Sequence, residues 1–114
     1  MEFSDETVIQ KAIKATLEHL DVLQKHSVNR FDQPEVYNRA FQLIDVLDAK
    51  VHDLNHIFEV SDPDVNRILQ NLLFNVKRMR ESAESLRYEP HQLNFQQDLI
   101  KEIDQIKESL NKLI

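Results

Sequence analysis

Apolar residues recur along this chain at alternating steps of three and four, the spacing that keeps one stripe of a helix turned toward a partner. The clearest run is Tyr37, Ala40, Ile44, Leu47, Val51, Leu54 and Phe58. A second stripe joins Val65, Leu69, Leu72, Val76, Met79, Ala83 and Leu86, and a third joins Leu99, Ile103, Ile106, Leu110 and Leu113. An earlier one joins Ile9, Ile13, Thr16, Leu20 and Leu23. Leu17, Phe41, Leu43, Ile57, Ile68, Leu73, Phe95 and Ile100 sit beside these stripes. They widen each apolar face beyond the seam of a two-stranded coiled coil, which suits a bundle of four.

Where one stripe gives way to the next, a local pattern returns. It reads Phe3-Ser4-Asp5-Glu6-Thr7-Val8, Phe31-Asp32-Gln33-Pro34-Glu35-Val36, Val60-Ser61-Asp62-Pro63-Asp64-Val65 and, in a weaker form, Tyr88-Glu89-Pro90-His91-Gln92-Leu93. Each copy has the form of a helix start. The second residue is placed to accept a hydrogen bond from an orphan backbone N–H, and the fifth to reach back in a capping box, best in Asp32 with Glu35. The first and sixth residues are placed as a hydrophobic staple, and Pro34 and Pro63 fall in a first turn, where a missing N–H costs nothing. The copies begin at residues 3, 31, 60 and 88, spaced by 28, 29 and 28. The pattern predicts helices over 4–26, 33–58, 62–87 and 91–113 in one domain over 1–114. Its longest connection is expected around Lys25 to Phe31. Short connections between long helices predict an all-α, antiparallel up-down-up-down four-helix bundle. Two helical hairpins from separate chains satisfy the same stripes, so the sequence is compatible with a monomer or a homodimer.

Composition narrows the chemistry. The 114 residues include no Gly and no Cys. Phosphate-cradling glycine loops, thiol catalysis, disulfides and Cys-based zinc sites are therefore excluded. No GxSxG nucleophile signature occurs, and the many carboxylates lie where helix faces meet solvent, so the reading is of a protein that is not an enzyme and needs no cofactor. A net charge of −6 and a pI of about 5.3 repel a phosphate backbone, so nucleic acid is not an expected partner. The uncharged stretch Ile68 to Val76 is too short to cross a bilayer. The acidic start MEFSDE lacks the basic n-region of a secretory signal, and a cytoplasmic location without membrane attachment is expected.

Three sets of residues remain as candidates. Asp48, His52 and His56 form a column, one helical turn apart, on the outward face of the second helix. Two imidazoles at i and i+4 with a carboxylate could hold a divalent metal, although the HxxxH spacing lacks the Glu of a zinc hydrolase. Within the same segment, His52-Asp53-Leu54-Asn55 resembles the H-box of histidine kinase dimerisation and phosphotransfer domains, where an exposed helical His accepts a phosphoryl group beside an acidic neighbour. That resemblance implies His52 as phosphoacceptor and Asp53 as the neighbouring acid. His19, His26 and His91 read as solvated polar residues. Lys77, Arg78, Arg80 and Arg87 follow Asp62 and Asp64 on the third helix in the order that its macrodipole favours.

The third set is apolar. Val22, Val46 and Phe74 lie farthest from the stripes, and Phe74 has Leu73 and Ile68 nearby on its helix. Large apolar groups off the seam mark an interface with another protein or helical peptide. The leading expectation is thus a non-enzymatic protein–protein interaction module, such as an adaptor, chaperone, immunity or inhibitor protein, or assembly subunit. Phosphotransfer at His52 is the alternative, and metal binding by Asp48, His52 and His56 a further one.

Overall fold

The stripes become the inner faces of four helices. The computed structural model describes residues 2–58 and 63–113, with side chains over 10–53 and 63–113. Helix α1 runs over Glu2–Val22 and passes into a π-helical turn, Leu23–Ser27, and a 3-10 turn, Val28–Arg30. Helices α2 (Pro34–Phe58), α3 (Pro63–Tyr88) and α4 (Leu93–Lys112) follow. The protein is an all-α helical bundle in which α3 packs against both α2 and α4. Among the described residues no helix is long and apolar enough to cross a membrane.

Burial follows the three-and-four spacing closely. Leu69, Leu72, Val76, Met79, Ala83 and Leu86 of α3 are all buried, as are Leu99, Ile103, Ile106 and Leu110 of α4. Ala40, Ile44, Leu47 and Val51 supply the α2 side, and Ile13, Leu20 and Leu23 the contribution from the first helical stretch. Thr16, the polar member of its stripe, is buried with its hydroxyl donating to the Ala12 carbonyl at 2.8 Å. That bond satisfies the hydroxyl within its own helix. Ile9, Leu54, Ile57 and Phe58 lie outside the described side chains.

Polar pairs fix how neighbouring helices run. Asp45 pairs with Arg80, and the Arg87 guanidinium lies 4.8 Å from the centre of the Tyr37 ring. Numbers therefore fall along α2 as they rise along α3. Lys107 reaches Asp21 at 3.0 Å, and the Gln24 side-chain amide donates to the Ile100 carbonyl at 3.0 Å, which ties the first helical stretch to α4.

Several expected boundaries are corrected. The connection expected around Lys25 to Phe31 is helical through Arg30, in π and then 3-10 form. Its cause is the burial of Leu23, Val28 and Phe31, which holds the segment against the core. At the start, α1 begins at Glu2, so Ser4 is already inside the helix. The Asp32–Glu35 capping box does not form. The Gln33 carbonyl accepts the first α2 N–H bonds, while the Asp32 carboxylate faces His91 Nε2 at 4.0 Å and Glu35 is exposed. Phe31 and Val36 of the expected staple both pack on the core. The Ser61–Asp62 cap lies outside the described residues, and α3 opens on Pro63, as a first-turn proline should.

The fourth start is the largest departure. Glu89 donates its backbone N–H to the Ser85 carbonyl, continuing the end of α3, and α4 begins at Leu93 after an extended Gln92. Tyr88 and Leu93, expected to staple, are 88% and 66% exposed. A side-chain bond from Gln96 to the Pro90 carbonyl, 2.9 Å, ties the connection down instead.

Candidate functional site

A groove of about 890 Å³ opens between the first helical stretch and α2. Its origin is architectural. Among the described residues α1 packs on α4, and α2 meets the first helical stretch chiefly at the π turn. The two helices that follow one another in the chain are thus left apart along their facing sides. Gln24 and Lys107 hold the arrangement from behind, with Lys107 Nζ donating to Asp21 Oδ1 and Gln24 Oε1, both at 3.0 Å. Lys107 and Lys25, through their bonds to Asp21, hold its carboxyl below the usual carboxylate range.

The groove has an apolar floor and charged lips. Leu23 and Leu47 are buried in its lining, Val36 and Leu43 are half-buried, and Val22 from α1 and Val46 from α2 line it as exposed residues. The two valines are 56% and 49% exposed. His19, His26, Arg30, Arg39 and Lys50 also line the groove, so His19 and His26 border an apolar surface as well as solvent.

The five expected partner-binding residues therefore separate. Val22 and Val46 come together in the groove, whereas Phe74, Leu73 and Ile68 lie on α3, which contributes nothing to its lining. Phe74 is 58% exposed, as its position off the stripe implies. It has a neighbour on its own helix: the Arg78 guanidinium lies 5.6 Å from its ring centre while Arg78 Nε donates to Glu102 Oε1 at 3.2 Å. Leu73 and Ile68 are half-buried.

The histidine column is placed in part. His52 and Asp53 are exposed, and His52 Nε2 lies 3.7 Å from Asp48 Oδ1. The acid within ion-pairing distance of the imidazole is therefore Asp48, one turn back. His56 lies outside the described side chains, and among the described residues no three His, Asp or Glu side chains are grouped to hold a metal ion.

Two features escape the periodicity. One is Glu102, a buried carboxylate in the α3–α4 seam; its position beside Ile103 on the α4 stripe is the signal that places it there. The other is the groove itself, which depends on how far α1 and α2 stand apart. Comparison with family models, curated proteins and solved structures finds no match to this chain.

Proposed function

We propose that this chain is a non-enzymatic protein–protein interaction module that receives a partner's helix in the groove between α1 and α2. The observation that carries the reading is the pair Val22 and Val46, both exposed and both lining one groove, from α1 and from α2, together with buried Leu23 and Leu47. An amphipathic helix laid in such a groove would cover both valines and the half-buried Leu43, a common mode of helix recognition. The adaptor, chaperone, inhibitor and assembly-subunit roles all use this kind of contact.

A photoreactive amino acid placed at Val46, with a matched one at exposed Gln70 of α3, tests the proposal in cells. A covalent adduct with a distinct protein at position 46 and none at position 70 is the expected result. Adducts at both positions, or at position 70 alone, would remove the groove from the reading. With the partner in hand, Val46→Asp should weaken binding about tenfold or more, because it replaces apolar burial worth roughly 1 kcal/mol by a carboxylate that must be desolvated.

Phosphotransfer at His52 stands second, supported by the exposure of its imidazole beside Asp48. Acid-labile phosphate on the protein that disappears with His52→Ala is its expected signature. Absence of that phosphate after incubation with acetyl phosphate and with the kinases of the source cell would retire it.

A further inference from the structure

We propose that the groove's occupant is an acidic amphipathic helix of a partner protein. This inference rests on the groove being a helix-docking site and adds the chemistry of what docks there. Charge is the observation behind it. Among the described residues, Arg30, Arg39 and Lys50 line the groove with His19 and His26, against a single acidic lining residue, Glu18. The chain as a whole carries −6. A cationic strip on an anionic protein selects a partner of opposite sign and repels a like-charged one.

These charges are available. Among the described residues Arg30, Arg39 and Lys50 join no salt bridge, whereas nearby Lys25 is paired with Asp21 at 3.2 Å. They are also spread out. Arg39 and Lys50 lie 11 residues apart on α2, roughly 16 Å along the helix, and Arg30 precedes the helix. A lone anionic headgroup could engage one end of that row, and its apolar tail would lie wet between two half-exposed valines instead of enclosed as small ligands usually are. A helix of about four turns, with an apolar stripe flanked by Asp and Glu, matches the floor and all three cations together.

Two peptide display libraries decide the matter. Both carry helical peptides of about 16 residues with the same randomised Leu, Ile, Val, Phe and Met positions at i, i+3, i+4 and i+7. One has Glu and Gln on the polar face, the other Lys and Gln, and both are selected against the full chain. Binders are expected from the acidic library alone. Their affinity should fall at least tenfold between about 50 and about 500 mM salt as the screening length shortens. The charge-reversed Arg39→Glu/Lys50→Glu chain should lose at least tenfold in affinity for them, and Val46→Asp should abolish binding, with helicity unchanged in each variant.

Equal enrichment from both libraries would overturn the acidic specificity while leaving groove docking in place. No enrichment from either, or binders lost with Phe74→Ala and retained with Val46→Asp, would overturn both. Dimerisation of the free chain that Val46→Asp abolishes would assign the groove to a second copy and likewise overturn the proposal.

Discussion

Arg78 is the residue on which two otherwise separate features meet. Its guanidinium lies against Phe74 on the outer side of α3 and donates to Glu102 in the α3–α4 seam, where the other carboxylate oxygen, Oε2, is buried without a hydrogen-bond partner among the described residues. Removing one partner of such a pair is worse than removing both, because a charge is left uncompensated. Arg78→Met is therefore expected to destabilise the fold by about 1–3 kcal/mol. The double variant Arg78→Met/Glu102→Leu should recover most of that loss, as read from urea midpoints. Asp21 gives a pH signature. Lys107 and Lys25 lower its pKa in the folded state, so its contribution is present above the unfolded carboxylate value and is lost as pH falls through the lowered folded value. Asp21→Asn should accordingly reduce stability at neutral pH, with the difference from the parent closing in acid. A constant difference across the pH series would contradict that assignment.

The helices were more legible in the sequence than their ends. A stripe such as Leu69 to Leu86 is read directly because burial in a bundle demands that periodicity, and every member is buried. A cap is a choice among nearly equivalent local hydrogen bonds, and at the start of α2 the helix opens on the Gln33 carbonyl, one residue past Asp32. Glu35→Ala should thus change stability by less than about 0.5 kcal/mol. By contrast, Phe31→Ala should cost about 3–5 kcal/mol, since that ring is fully buried and anchors the end of the 3-10 turn. Chemical denaturation of the two variants separates a capping role from an anchoring one. The candidate site was half legible. Val22 and Val46 stand out in sequence as apolar residues off the seams, and both are exposed. Their meeting across one groove was not legible, because it depends on the separation of α1 and α2 and on a π turn that no apolar spacing announces. Phe74 carries the same sequence signal and lies on a different helix.

Cohesion is distributed unevenly through the bundle. Among the described residues, helix α3 is held from both sides by α2 and α4, while α1 is attached mainly to α4 and touches α2 chiefly through its π turn. The groove that would seat a partner thus lies where, among the described residues, neighbouring helices hold one another least. Proteins open in cooperative units, and those with fewest buried contacts open at the lowest free energy. Amide hydrogen exchange should therefore reveal two tiers, with residues 10–22 exchanging through a local opening and residues 69–86 only on global unfolding. A single exchange free energy across both segments would contradict this. Filling the groove would supply α1 with the second neighbour it lacks, so a bound helix should slow exchange most in residues 10–22, including amides it never touches. The open seam would then make the local stability of the first helix a gauge of occupancy.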